Sequence, residues 1–314
     1  MLRIPLLVTA TAALLIPLAN AQNLVGNPGF EAGNVGFASD YTYSSGGNCC
    51  EGQYTVRSTP NTFNGFFTNP PPASPGSSNM MVVNGSTVPN QRVWYLTVPV
   101  QQGETYRLQF SGCTAVAGGP AILQWQVGGQ LIGSPVPLPN QTQQWATNGA
   151  TWTAPATGNV EVAIRNLNTN AFPNDFYVDD LYVGTCTACW SNYGAGLPGQ
   201  RGTPNLVPSA APQLGTALQL LLSSASNANQ FGILVLGFAP TSQATPLGGT
   251  LLVQPATTLA LPIVAAPTAT AYPLTLPSAA AFAGLGLYAQ FAHTDPSAAA
   301  GFAFSRGLEL RLGL

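Results

Sequence analysis

The chain has 314 residues, of which 6% are charged and 46% are hydrophobic, and it contains 34 glycines and 28 prolines. This composition excludes a disordered chain, which would have few apolar residues, and a typical helical protein, which would have fewer helix breakers. The basic residues are eight arginines against ten acids, a net charge of −2, so no nucleic-acid partner is expected.

Residues 1–21 have the pattern of a secretory signal peptide. Arg3 precedes the apolar run 4–18, and the small-residue sequence ANA then leads to a predicted cleavage site after Ala21. No later stretch reaches the roughly 20 apolar residues that a membrane-spanning helix needs. We therefore expect a secreted protein, either soluble or held at the cell surface without a transmembrane segment.

Between residues 23 and 184, runs of alternating apolar and polar residues predict β-strands separated by turns. Strands with this spacing are typical of a β-sandwich, and the proline-rich segment 68–78 should be a loop because proline cannot complete a hydrogen-bonded ladder. The predicted strands are MMVVNGS, VWYLTVPV, TYRLQFSG, NVEVAIRN and NDFYVDDLYVG, with a hairpin in AILQWQVGGQLIG.

The five cysteines of an exported chain predict disulfides, and the odd number leaves at least one without an intrachain partner. Cys186 and Cys189 are expected to form a local staple at a domain junction. A bond between the neighbours Cys49 and Cys50 would be strained, which favours a bond from one of them to Cys113. The spacing does not decide which of the two takes part.

After Cys189 the chain has fewer charges and more alanine and leucine. This change predicts two domains, at 22–186 and 187–314, the second of them β-rich, sandwich-like and of unknown role. A short helix in PSAAAFAGL is an alternative for that one stretch. The predicted strands of the second domain are ALQLLLSSA, FGILVLGFA, TLLVQP, LGLYAQFAH and LELRLGL.

Five short motifs occur in order along the first domain: NLVGNPGFEAG, NVGFASDYTY, EGQYTV, NMMVVNGS and NDFYVDDLYVG. Together they resemble a bacterial extracellular subgroup of the galactose-binding-like jelly-roll carbohydrate-binding modules. The resemblance implies an all-β, jelly-roll sandwich over 22–186 that binds a polysaccharide or glycan. The later stretch YGAGLPGQRGTPNL resembles a module of secreted bacterial proteins that has no known activity.

The same resemblance implies a structural calcium ion beside the first and last strands. Its ligands would be Glu31 and one of Asp179 or Asp180, completed by backbone carbonyls, and calcium prefers such oxygen ligands. Strand alternation pairs Asp179 with Leu181 on one face and turns Asp180 to the other. The alternative is a carboxylate satisfied by hydrogen bonds alone.

Sugar binding requires aromatic rings at a surface, beside groups that hydrogen-bond hydroxyls. The candidates are Trp94, Tyr95, Trp125 and Trp145, although an aromatic residue in an alternating strand more often belongs to the core. Because Trp94 and Tyr95 are adjacent, only one of them can be buried.

Catalytic motifs are missing from the sequence. The lone histidine, His293, is not accompanied by a nucleophile elbow, and there is no phosphate-binding loop or zinc-protease motif. We therefore expect a secreted, non-catalytic carbohydrate-binding protein. The alternative is a structural or adhesive protein of the cell envelope or matrix, which would self-associate through 187–314.

Overall fold

The structure is a computed structural model that describes residues 23–47, 50–74, 76–266, 268–298 and 300–314. Its regular structure is almost entirely β-strand, which confirms the predicted all-β fold. The helical segments of the described residues are two single turns of 3-10 helix, Pro60–Thr62 and Ala280–Phe282. The predicted signal peptide and Cys49 lie outside the described residues.

The first ten strands form a sandwich, here called the N-terminal sandwich. One sheet has the order β1-β2-β3-β10-β5-β8 and the other β4-β9-β6-β7, and every pairing except the short β1–β2 one is antiparallel. The strands are β1 Thr42–Tyr43, β2 Gln53–Arg57, β3 Met80–Asn84, β4 Arg92–Val100, β5 Thr105–Thr114, β6 Ile122–Val127, β7 Gln130–Pro137, β8 Trp145–Thr153, β9 Gly158–Asn166 and β10 Phe176–Thr185.

Side-chain alternation along β5 explains how this sandwich forms. Leu108 and Phe110 point into the core between the sheets and are fully buried, whereas Gln109 and Ser111 take the opposite face because successive side chains of a strand alternate. Burying one such apolar side chain contributes roughly 1.5–3 kcal/mol. The sheet that contains β5, here called the central sheet, thus has an apolar inner face and, around Gln109 and Ser111, a polar outer face.

A covering segment, residues 60–74 and 76–78, crosses the other end of that outer face. Phe63 and Phe67 pack there in a second, smaller apolar cluster with Tyr177 of β10. The segment is held by its backbone carbonyls, because the Tyr177 hydroxyl donates to Thr68 O at 2.6 Å and Trp145 Nε1 donates to Pro71 O at 2.7 Å. The proline-rich stretch is a loop, as predicted, and it also closes part of the sheet.

The remaining strands form the C-terminal β-region, in which one sheet has the order β11-β21-β19-β14-β17, with β20 paired to β19. A separate core lies here, built around Leu234, Phe291 and Leu308. The strands are β11 Cys189–Tyr193, β12 Asn205–Pro208, β13 Ala217–Ser223, β14 Gln230–Gly237, β15 Pro240–Ala244, β16 Thr250–Val253, β17 Thr257–Ile263, β18 Ala269–Thr275, β19 Gly286–Thr294, β20 Phe302–Phe304 and β21 Gly307–Arg311.

The two parts meet where β8 lies beside β11. Trp190 packs directly on Gly149, where an added Cβ would lie 2.8 Å from the indole Cζ3. Asn192 accepts a hydrogen bond from the Gly149 N–H at 3.3 Å, and Arg201 donates to Gln144 Oε1 at 3.1 Å. The domain boundary after residue 186 stays a prediction, but each part has its own core and the contact between them is polar as well as apolar.

The cysteines give one confirmed prediction and one correction. Cys186 and Cys189 form the predicted disulfide between β10 and β11. Cys113 is a free thiol within the described part of the chain, so the bond predicted from Cys49 or Cys50 to it is wrong. The physical reason is its position, because β5 directs Cys113 into the cluster beneath the covering segment, where it is fully buried.

None of the described helices is long and apolar enough to cross a bilayer.

Candidate functional site

The three predicted acidic residues lie beside the covering segment. Asp179 is fully buried, and its carboxylate accepts hydrogen bonds from the Ser77 hydroxyl at 2.6 Å and the Asp180 N–H at 2.8 Å. Asp180 accepts a hydrogen bond from the Ser74 hydroxyl at 2.8 Å. Glu31 is exposed, and its Oε1 accepts the N–H groups of residues 78 and 79. All three carboxylates therefore anchor the same loop.

The predicted alternation through the aspartate pair is wrong. A β-bulge interrupts β10 between Asp179 and Tyr182, and Asp180 adopts a left-handed φ of 50°, which aspartate tolerates better than most residues. The bulge puts Leu181 in the core while Asp179 pairs with Ser111 on the outer face. The two aspartates are therefore not divided between the inside and the outside of the sandwich.

Burial governs the charge of the pair. Burial is the largest of the effects that together raise the pKa of Asp179 to about 7. The hydrogen bonds from Ser77 and Asp180 lower it, and the nearby carboxylates of Asp180 and Glu31 add to the rise. Burial also raises the pKa of Asp180. The desolvated carboxylate needs donors or a cation, and within the described residues neutral donors supply part of that need.

The fit of this cluster to calcium is incomplete. Its carboxylate and hydroxyl oxygens are the ligand type that calcium prefers. However, no group of three or more His, Cys, Asp or Glu side chains among the described residues is arranged to hold a metal ion. The predicted site with Glu31, Asp179 and Asp180 as ligands stays a prediction.

Two predicted ligand-binding residues belong to the core. Trp94 is 0% exposed and Trp125 is 3% exposed, and their rings pack edge to face with centroids 6.2 Å apart between the sheets. A ligand at the surface cannot reach either ring, so this prediction is wrong for both. Strand alternation alone allows each tryptophan side chain to face either the core or the solvent. In the structure both face the core.

The other two predicted aromatic residues lie nearer the surface. Tyr95 is half-buried beneath the guanidinium of Arg92, whose Cζ lies 3.7 Å from the ring centroid. Trp145 is half-buried against Tyr177, and its indole nitrogen donates to Pro71 O of the covering segment. Their roles in ligand binding stay predictions, and the two rings belong to opposite sheets.

A groove of about 680 Å³ opens on the outer face that the covering segment leaves bare. Its floor is formed by polar side chains of three adjacent strands, with Arg107, Gln109 and Ser111 from β5, Thr147 from β8 and Tyr182 from β10. Ser111 and Thr147 are cross-strand partners whose hydroxyls lie 2.9 Å apart. The floor thus offers hydroxyl, amide and guanidinium groups side by side.

Arg107 is the principal donor of the groove. Its guanidinium carbon lies 4.0 Å from the Tyr182 ring centroid, and its Nε is buried without a hydrogen-bond partner among the described residues. The ion pairs of the described residues involve Arg92 and Arg311, not Arg107. Desolvation lowers the pKa of Arg107. A cation oriented by an aromatic ring therefore faces the groove with hydrogen-bonding capacity to spare.

The C-terminal β-region supplies the opposite wall of the groove. Trp190 and the stretch 207–211 line it there, and Asp180 with Ser74 lines the rim next to the covering segment. The sequence analysis did not select these groove residues. Alternation in TYRLQFSG does place Arg107, Gln109 and Ser111 on one face, and that polar stripe was the available signal. No comparable pattern in the sequence marks Trp190 or residues 207–211 as the opposite wall.

His293 has a structural role in this arrangement. It is fully buried, its Nε2 accepts the Ala225 N–H at 3.0 Å, and its Nδ1 lies 2.8 Å from Thr294 O. Asp295 instead accepts hydrogen bonds from Gln200 N at 2.9 Å and from the Ser297 hydroxyl at 2.8 Å. Both ring nitrogens are therefore engaged in backbone contacts rather than with a nucleophile.

No family model matches this sequence, and no curated protein matches it. Among solved structures, the chain is similar to the C-terminal domain of EclA, a sugar-binding protein, with 20% identity and a TM-score of 0.27 over 37% of this chain and 90% of that one. It is also similar to the CBM22-1 xylan-binding domain of Paenibacillus barcinonensis Xyn10C, with 12% identity and a TM-score of 0.30 over 44% and 88%.

A third similar structure, a Paenibacillus xanthan lyase, has 12% identity and a TM-score of 0.29, and the match covers 76% of this chain and 24% of the lyase. At such identities and scores, the similarities assign neither a ligand nor a reaction to this chain.

Proposed function

We propose that this protein is a secreted, non-catalytic carbohydrate-binding protein, and that the groove over β5, β8 and β10 holds a polysaccharide. The observation that carries the proposal is the groove itself, with its polar floor and the aromatic residues Tyr182 and Trp190. Sugar hydroxyls need closely spaced donors and acceptors, which Arg107, Gln109 and the Ser111–Thr147 pair provide. An open groove also admits a chain that extends beyond the site.

Arg107 and Tyr182 have distinct roles in this proposal. The guanidinium lines the groove and donates to ring or hydroxyl oxygens of the sugar. The Tyr182 ring fixes the guanidinium by a cation–π contact. The site is therefore organised before the glycan binds, which reduces the entropy lost on binding.

Retention on immobilised polysaccharides tests this function. We expect the full chain to be retained by at least one polysaccharide of a broad panel, and Arg107→Ala to weaken that binding roughly tenfold or more, since a hydrogen bond to a charged group contributes about 1.5–3 kcal/mol. Arg311→Ala, at an exposed arginine, is the matched control.

Absence of retention on every polysaccharide, together with concentration-dependent oligomers, would contradict the glycan proposal. It would support the structural or adhesive alternative. Exposed apolar side chains in the C-terminal β-region favour that alternative, since Phe231 is 74% exposed and Phe238 is 64% exposed. Sedimentation velocity over a range of protein concentrations distinguishes the two.

A calcium ion near Asp179 and Asp180 remains part of the proposal. Glu31 and one of Asp179 or Asp180 would hold it together with neighbouring oxygens, and its chemistry there would be neutralisation of charge that burial otherwise disfavours. Calcium chloride should then raise the melting temperature of the wild type but not of Asp179→Asn, with magnesium chloride as the control ion. Equal melting temperatures with calcium and with chelator would rule the ion out and leave the groove proposal intact.

A further inference from the structure

A second cavity, separate from the groove, lies between the N-terminal sandwich and the C-terminal β-region. We call it the junction cavity, and its volume is about 480 Å³. One wall comes from β7 and β8, and the other from residues 192–206 together with Arg306. Pockets of this size commonly hold small organic molecules, and interfaces between domains are frequent places for them.

The walls of the junction cavity are largely apolar. Val136, Ile122 and Ala146 contribute from the sandwich, while Pro204 and Leu206 contribute from the opposite side. Such walls release water at little cost and favour a ligand with an apolar body. A sugar, which carries hydroxyls around its whole ring, would leave many of them without a partner there.

Arg306 is the one charged side chain among the residues that line this cavity. It is 8% exposed, and it donates to Gly194 O at 3.1 Å and, at longer distances of 3.4 Å, to Asn148 Oδ1 and Asn192 O. All three acceptors are neutral, whereas a guanidinium has five N–H bonds. The ion pairs within the described residues do not include it.

A buried charge with neutral partners is energetically unfavourable. Removing a cation from water costs several kcal/mol unless an opposite charge and good hydrogen bonds offset the loss. Burial lowers the pKa of Arg306 to about 10, so the group is still charged at neutral pH. An anion in the cavity would offset the desolvation and use the remaining donors.

We propose that the junction cavity binds a small organic carboxylate, with the carboxylate on Arg306 and the apolar body against the proline and aliphatic walls. A planar carboxylate matches the guanidinium with two parallel hydrogen bonds. A phosphate dianion is a poorer match, because Arg306 supplies a single positive charge and the other side chains that line the cavity are uncharged. The ligand contacts both parts of the molecule and would stabilise their junction.

Calorimetric titration of the full chain with benzoate and benzamide tests this site, because the two compounds have nearly the same shape and differ in charge. We expect benzoate to bind and benzamide to bind at least about tenfold more weakly. Glucuronate, a carboxylate with a polar body, should also bind more weakly than benzoate. Absence of benzoate binding, equal affinity for benzamide, or a preference for glucuronate would overturn the proposal.

Variants locate the binding. Arg306→Gln should lower benzoate affinity roughly tenfold or more, and Arg201→Gln, which also removes an arginine contact at the junction but lies outside the cavity, should leave it unchanged. If Arg306→Gln does not fold, Ser134→Trp is the second test. The half-buried Ser134 lines the cavity from β7, so an indole there should fill the cavity and weaken benzoate binding. Unchanged benzoate affinity in a folded Ser134→Trp or Arg306→Gln variant would overturn the proposal.

Discussion

Several ionisable side chains of this charge-poor chain are buried without a partner of opposite charge. Asp175 is 4% exposed and accepts the Gly85 N–H at 2.9 Å. Asp179 accepts neutral donors as well, and Arg306 donates only to neutral oxygens. Because unpaired buried charges lower stability, the buried Arg306 marks one of the two proposed binding sites, and the half-buried Arg107 marks the other.

Asp175 gives a pH prediction. Burial raises its pKa to about 6 in the folded state, above the ordinary 3.8. The folded state therefore binds more protons than the unfolded state between about pH 4 and 6, and this group's contribution to stability falls as pH rises through that window. Asp175→Asn removes the effect, so the melting temperature of the variant minus that of the wild type should increase from pH 4 to pH 7.

Thermal unfolding at several pH values measures this difference. The slope for one group is at most about 1.4 kcal/mol per pH unit. Glu104→Gln, at an exposed carboxyl, is the control. A difference between Asp175→Asn and wild type that stays constant from pH 4 to pH 7 would contradict the assignment.

At the scale of elements, the covering segment determines which part of the central sheet is available. It buries the end of the outer face that carries Cys113 and Tyr177, and its far end anchors to Asp179 and Asp180. The groove begins at the edge of the segment. Ser74 donates the hydrogen bond to Asp180 and also lines the rim of the groove. The loop therefore shapes the binding surface without belonging to a strand.

Alternation predicted much of this architecture. It predicted β5, β9, β14 and β19, because every second residue of a strand faces the core and is therefore apolar. It did not predict the bulge at Asp180, since the inserted residue shifts the pattern and only the left-handed backbone reveals it. Nor could it choose the inner face for Trp94, because that depends on which sheet packs opposite.

Tyr177→Phe tests how firmly the covering segment is held. The change removes the hydrogen bond from the hydroxyl to Thr68 O while keeping the ring in its cluster. We expect a loss of about 1 kcal/mol, or a melting temperature lower by about 1–2 °C for a chain of this size. Tyr43→Phe, at an exposed tyrosine, is the control, and equal effects of the two changes would contradict the anchoring role.

At the scale of the whole molecule, the junction links both candidate sites. Trp190 lines the groove and packs on Gly149, while Asn192 and Arg306 on the same side line the junction cavity. The two cavities therefore depend on how closely β8 and β11 approach. A glycine at position 149 permits this approach, because any side chain there would meet the indole and the Trp190 carbonyl.

Gly149→Leu should therefore separate the two parts of the molecule. Overpacking typically costs about 1–3 kcal/mol, and Trp190 must move from the groove wall to admit the new side chain. We expect a lower urea midpoint by tryptophan fluorescence and weaker polysaccharide retention. Gly65→Ala is the control, because an added Cβ at Gly65 meets no atom within 4 Å. An unchanged midpoint with full retention in Gly149→Leu would mean that the groove does not require the close contact between β8 and β11.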